Sequence, residues 1–272
     1  MQTMADPNGG RRQSGWLRDL AGAWVFYSVL PAWPGIAPSF ERIARFAPWI
    51  GLVIGALQGV LWWLSHGWLP PLAQIALVIA LGLWLTGGLH ADGVIDTADG
   101  LAAGSRALDA MDDSRAGAAG VQAFALLLLL RAGGLVALAA ATGPALVVGT
   151  LVLVAIWGRI SPLLAMAHFP YLRAGGTAGF HRQGLRPLRR ELLPSAVLLA
   201  LLGAVPLALG VMPGASWWAA LLLPALPAVC LPFWLGRRLG GHSGDSYGAC
   251  VEWSEALALL LCGVLFSALA AR

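Results

Sequence analysis

Apolar runs separated by short breaks set the plan of the chain. Seven of them, at about 47–66, 70–88, 118–141, 143–168, 192–211, 215–236 and 247–270, approach the roughly 20 residues that a helix needs to cross about 30 Å of hydrocarbon. Pro70-Pro71, Gly143-Pro144 and Pro213-Gly214 divide three pairs of these runs, which predicts tight, uncharged turns there. The remaining links are longer and carry most of the arginines. Ahead of the first run, WLRDLAGAWVFYSVL (16–30) is too short and too charged to cross, so it is expected as an interfacial or re-entrant helix. Residues 1–15 are polar and expected to be a disordered cytoplasmic N-terminus. Their Arg11-Arg12 pair leads to no small-x-small cleavage site, and Pro31, Pro34 and Pro38 follow, which argues against an export signal. The pattern predicts an all-α, polytopic integral membrane helical bundle. It has about seven transmembrane helices and an N-terminal interfacial or re-entrant helix, with 16–272 as a single membrane domain.

Composition sharpens this. The chain is 58% hydrophobic and 11% charged, whereas soluble domains carry about 25% charged residues. A net charge of +4 would suggest nucleic acid in a soluble protein, but here the basic residues flank spans and act as topology signals, so nucleic acid is not expected as a partner. All 17 basic residues are arginines. With the N-terminus cytoplasmic, all but Arg131, Arg159 and Arg272 fall on the cytoplasmic side, which is the orientation the positive-inside rule selects. Cys230, Cys250 and Cys262 have no metal-ligand spacing, and no disulfide framework is expected. Tryptophans such as Trp62, Trp63, Trp217 and Trp218 sit near span ends, as interface anchors do.

One polar stretch stands out between two spans. Thr86 to Gly120 holds six of the 13 acidic residues. Within it Asp92, Asp96 and Asp99 fall at i, i+4 and i+7, on one stripe of a helix. Such carboxylates most often form a solvated face. In a chain so poor in charge, next to the membrane, they are functional candidates, and a hard divalent cation such as Mg²⁺ is the natural counter-ion. The loops 169–191 and 237–246 would emerge on the same face as this stretch. Acids that hold metal and arginines that hold phosphate then meet at one cytoplasmic mouth, which suits phosphate and diphosphate chemistry.

Taken together, TGGLHADGVIDTADGL (86–101), MDDSRAGAAG (111–120), PYLRAGG (170–176) and GGHSGDSYGACVEWSE (240–255) resemble cobalamin synthase, the adenosylcobinamide-GDP ribazoletransferase family. With the spans, the matching blocks cover nearly the whole chain. The resemblance implies a multi-pass, Mg²⁺-dependent transferase of the bacterial cell inner membrane whose active site faces the cytoplasm. It would join adenosylcobinamide-GDP to α-ribazole or its 5′-phosphate late in cobalamin biosynthesis and release GMP. His90, Asp92, Asp96, Asp99 and Gly100 match the first acidic motif of that family. Asp113, Ser114, Arg115 and Gly117 match its D-S-R-x-G element, with Asp112 in place of a frequent lysine. Arg173, Gly175 and Gly176 match the Y-x-R-x-G-G loop, and Gly244, Asp245, Gly248, Glu252 and Glu255 match the C-terminal element. Where the family often shows T-R-I-P, this chain has Ser28, Val29, Leu30 and Pro31, which leaves Arg42 or Arg45 to replace that arginine.

The expected roles follow. Asp92, Asp96, Asp99 and Asp113 are the metal ligands, the last brought back by a turn after residue 100. The base for the acceptor hydroxyl is Asp113 or Asp99, with Asp245 and His90 next. Arg115, Arg173 and Arg182 are the phosphate partners, with Ser114 and Asp245 also in the substrate site. Arg186, Arg189 and Arg190 suit anionic membrane lipid. Glu252 and Glu255 either complete the metal site or hold Arg159 in the bundle. A homo-oligomer is allowed for. The rival readings are an ion-coupled transporter, which needs acids near the bilayer midplane, and a metal-dependent phosphotransferase of the CDP-alcohol type.

Overall fold

The computed structural model describes residues 15–173, 179, 184–210 and 214–272. Its helices are α1 (Trp16–Tyr27), α2 (Ala47–Ser65), α3 (Pro71–Leu85), α4 (Leu89–Ala103), α5 (Ala107–Asp112), α6 (Ala118–Ala141), α7 (Pro144–His168), α8 (Leu188–Ala208), α9 (Gly214–Leu222), α10 (Ala225–Leu239) and α11 (Gly244–Ala270). Among the described residues there is no strand; one isolated bridge pairs Tyr171 with His242.

Among the described residues six helices are long and apolar enough to cross a membrane: α2 with the short turn that leads into it, α6, α7, α8, α9 with α10, and α11. The 15-residue α3 and the stretch Leu89–Asp112 that begins with α4 pass the same test only together, across a bend of 90°, as a broken span or a re-entrant pair, which makes six to seven spans among the described residues. The expected all-α bundle of about seven spans is therefore what forms. The bend falls at Gly87 and Gly88, both left-handed with φ of 62° and 75°, a conformation that costs glycine little and other residues more. As a result α4 lies across the end of the bundle, where the continuous run 70–88 alone would have suggested a simple exit. Residues 215–236 also differ from a single rod, since the span breaks between Leu222 and Ala225 beside Pro224.

At the centre stands α7, most of it buried. Gly51, Gly55 and Gly59 recur every fourth residue along α2 and face it. A Cβ on Gly51 or Gly55 would run into the α7 backbone at Ala155 or at Leu151 and Val152. Stripes of small residues let helices pack closely where lipid supplies no hydrophobic drive between them. Leu126, Leu129, Val197, Leu201 and Val264 are exposed, as lipid-facing positions are.

Four charged side chains meet between α6, α7 and α11. Arg131 of α6 contacts Glu252 at 2.9 Å and Glu255 at 2.7 Å, and Arg159 of α7 contacts Glu255 at 2.6 Å. The set is charge-balanced. It answers what the two α11 glutamates do: they hold both intramembrane arginines and do not join the aspartates of α4.

At 12 residues, α1 is not among the helices long and apolar enough to cross a membrane. It packs through Ala23 and Tyr27 onto Ile43, Phe46 and Ile50 at the start of α2 and onto Leu85 at the end of α3. Its buried Asp19 pairs with Arg45 at 2.7 Å, and Arg42 pairs with the buried Glu191 of α8 at 2.6 Å. Both arginines that were candidates to replace the missing T-R-I-P arginine are thus engaged in tying α1 and α8 to the bundle.

Candidate functional site

The site forms where α4 crosses the N-terminal end of α11. Gly93 of α4 abuts the backbone of Asp245, and Gly248 of α11 abuts the backbone of His90; a Cβ at either glycine would meet main chain. This close crossing sets Asp245 among the α4 acids. Ser243 starts α11 with a capping box in which Ser243 and Ser246 bond each other's backbone, and that fixes the first turn carrying Asp245.

Asp92 is exposed, and Asp96 and Asp99 are half-buried. Asp96 is partly buried, with the carboxylates of Asp92 and Asp245 bearing on its own and Arg173 acting against them. Like charges crowded this way favour a bound cation. Asp99 points elsewhere. Its carboxylate accepts hydrogen bonds from Gly117 N at 2.7 Å and Gly120 N at 2.9 Å, so it caps the N-terminus of α6, where a negative charge is favoured.

Asp113 is not returned to this group. It is exposed in the turn before α6, where the Arg115 guanidinium bonds both its oxygens at 3.0 and 2.7 Å and the Arg115 backbone N–H adds a third bond at 3.0 Å. Those bonds hold its carboxyl down to about 2. The pair forms because two residues of spacing let the guanidinium fold back onto its neighbour, a local contact that competes with the return of Asp113 to α4. Ser114 is exposed beside it. Arg182, Gly175 and Gly176 lie outside the described residues.

Arg173 does reach the site. Its Nη2 lies 3.0 Å from Asp245 Oδ2 and 3.0 Å from Asp112 Oδ1. Arg173 is thus ion-paired through Nη2 with two carboxylates, and among the described residues its Nε has no acceptor. His242, which no expectation singled out, sets its position. The ring bonds Ser246 Oγ at 2.9 Å and Pro232 O at 3.0 Å, while its backbone N–H donates to Pro170 O and its carbonyl accepts from Leu172 N. The run GGHSGDS contained this residue, but nothing in its spacing distinguished an anchor from a ligand. His90 is buried below the acids, its ring centroid 6.4 Å from that of Tyr27.

The donor set fits Mg²⁺. No group of three or more His, Cys, Asp or Glu stands ready as a cage among the described residues, but Mg²⁺ is usually held by one or two carboxylates, water and substrate phosphate. Asp92 and Asp96, with Asp245 beside them, supply hard oxygen donors and a local excess of negative charge.

A family model described as Cobalamin-5-phosphate synthase matches residues 19–263. The chain is 53% identical over 264 residues to an adenosylcobinamide-GDP ribazoletransferase of Prochlorococcus marinus (strain MIT 9303), a match that covers 93% of this chain and 98% of the relative. It is 42% identical over 244 residues to the ribazoletransferase of Thermosynechococcus vestitus, covering 88% and 93% of the two chains. A third relative of that name, from Trichormus variabilis, is 36% identical over 254 residues, covering 92% of this chain and 98% of the relative. No solved structure matches.

Proposed function

The chain belongs to the Cobalamin-5-phosphate synthase family, and from that premise we propose that it transfers the phosphorylated corrinoid of adenosylcobinamide-GDP to α-ribazole, or to its 5′-phosphate, with release of GMP. The site would face the cytoplasm from the inner membrane, the side to which the arginine-rich links are assigned by the positive-inside rule. Family membership sets aside the transporter and the CDP-alcohol enzyme. The observation that carries the assignment of chemistry is the meeting of Asp92, Asp96 and Asp245 with the Arg173 guanidinium at one end of the bundle.

In the proposed reaction an acceptor hydroxyl attacks the phosphorus that carries the corrinoid. A new O–P bond forms as the diphosphate bridge breaks, and GMP leaves with the bridging electron pair. Mg²⁺ held by Asp92 and Asp96 would neutralise charge on the diphosphate. Arg173 grips a phosphate oxygen through its donors, and its distance from Asp245 keeps donor phosphate and base adjacent. Asp99 and Asp113 are committed to α6 and to Arg115, which leaves Asp245 to take the hydroxyl proton. Asp245 stands both among the acids and on the cavity beneath them.

The experiment is GMP release by the protein in lipid nanodiscs with both substrates and Mg²⁺. Asp92→Asn and Asp96→Asn should each lower kcat by at least about 100-fold, in the range that mutagenesis of charge-stabilising groups gives, with unchanged melting temperature. Near-normal turnover in both variants, or turnover indifferent to chelation of divalent metal, would overturn the assignment.

A further inference from the structure

Beneath the acidic rim lies a cavity of about 140 Å³ whose two ends differ in character. Asp92 and Asp245 line it on the side of the α4 acids, and Tyr27, Met166, Tyr247 and Val251 give it aromatic and aliphatic walls. Two further lining residues, His90 and Arg159, are buried, and each keeps one nitrogen without a hydrogen-bond partner: Nδ1 of the imidazole and Nε of the guanidinium. Buried polar atoms are nearly always paired, and an exception calls for a ligand or a water.

Resting on the function proposed above, we infer that this cavity seats the flat base of the acceptor nucleoside, ring-edge first, with the sugar left at the carboxylate end. An apolar cavity of about 150 Å³ takes one benzene ring, so the space admits the edge of a base and excludes the corrin macrocycle. A phosphate does not suit it, because the one cation among its described lining residues, Arg159, is already neutralised by Glu255 at 2.6 Å. Guanine suits it less. Its carbonyl, ring N–H and amino group lie along one edge and would enter together among the buried His90, Arg159 and apolar side chains, away from the two carboxylates that could accept from them. The base of ribazole, 5,6-dimethylbenzimidazole, has two methyl groups on an apolar ring and a single ring nitrogen left for hydrogen bonding, a composition that matches walls of this kind with a few polar atoms. Seating the base here would also set the acceptor sugar beside Asp245, the residue proposed to take its proton.

The test uses the full chain in nanodiscs. Equilibrium binding of free 5,6-dimethylbenzimidazole is measured without donor, with guanosine as competitor, and GMP release is measured with each substrate varied in turn. Ala47 lines the cavity from α2, and Ala47→Phe should fill it. The expected result is saturable binding of dimethylbenzimidazole that guanosine does not displace. Ala47→Phe should weaken that binding and raise the acceptor KM at least about tenfold, a loss of 1.4 kcal/mol of interaction, with the donor KM unchanged. His90→Phe, which keeps the ring and removes the nitrogens, should raise the acceptor KM in the same sense and serves if Ala47→Phe does not fold. The inference is overturned if wild type binds no dimethylbenzimidazole, if guanosine displaces it, or if the variants raise the donor KM and spare the acceptor. Each of those results with intact GMP release in wild type would leave the reaction standing; absence of GMP release in wild type would remove the reaction itself.

Discussion

Replacing Glu252 with leucine should destabilise the protein more than any surface change, and the reason is a count of charges in the bundle interior. Arg131 and Arg159 are 6% and 2% exposed at their side chains, and Glu252 and Glu255 are 3% and 13% exposed. Two cations and two anions balance. Glu252→Leu takes away the carboxylate 2.9 Å from Arg131 and leaves Glu255 shared between two guanidinium groups. Removing one partner of a buried ion pair costs about 3–5 kcal/mol, because the remaining charge stays desolvated. For a chain of this size each kcal/mol shifts melting by about 2–4 °C, so thermal unfolding in detergent should fall by about 6–20 °C. The double variant Arg131→Met with Glu252→Leu removes a cation and an anion together and leaves Arg159 with Glu255 at 2.6 Å. Hydrophobic replacement of a whole buried pair is often neutral, so the double variant should recover most of the loss. A double variant that melts as low as the sum of the two single losses would refute the charge-balance reasoning.

Three further outcomes separate holding residues from reacting ones. Asp99→Ala removes both acceptors at the start of α6 and should cost about 1–2 kcal/mol of stability, the worth of a good helix cap, while the Mg²⁺ concentration for half-maximal turnover stays where it is; a shifted Mg²⁺ requirement would restore Asp99 to the metal. Gly93→Val places side-chain atoms against the Asp245 backbone, and both melting temperature and GMP release should drop, whereas a normal enzyme would mean that α4 and α11 need not touch. His242→Ala removes the ring bonds to Ser246 and Pro232 that position the backbone on which Pro170 and Leu172 are held, and the resulting shift of Arg173 should raise the donor KM by about tenfold, with the acceptor KM unchanged; equal effects on both would show a general loosening.

How far the sequence revealed these features depends on whether each one is local or long-range. Spans were legible because a bilayer demands some 20 apolar residues and self-satisfied backbone, and Pro70-Pro71 and Gly143-Pro144 mark their ends without reference to the rest of the fold. The break at Pro224 was less legible, since Pro162, Pro194 and Pro206 sit inside intact helices and proline alone does not decide. Helical spacing put Asp92, Asp96 and Asp99 on one stripe, yet spacing says nothing about what faces the stripe. The start of α6 comes to Asp99, and the first turn of α11 comes to Asp92 and Asp96. That division follows from where Gly87 and Gly88 turn the chain and where Gly93 and Gly248 allow contact, and it needs the three-dimensional path.

The same distinction explains why Asp245, expected in the substrate site, lies beside the α4 acids while Asp113, expected as a metal ligand, stays with Arg115. Asp113 is close in sequence to the acidic stripe, but Arg115 is closer to it still, and a two-residue ion pair forms with little loop to close. Asp245 is some 150 positions away, yet it sits in the capped first turn of a helix, where a carboxylate is already favoured. Once α4 and α11 cross through paired glycines, its carboxylate has little freedom to leave. In this bundle a distant residue on a rigid helix end is held beside the α4 acids more firmly than a near one on a turn, so the acids that gather at the crossing are those placed by helix contact.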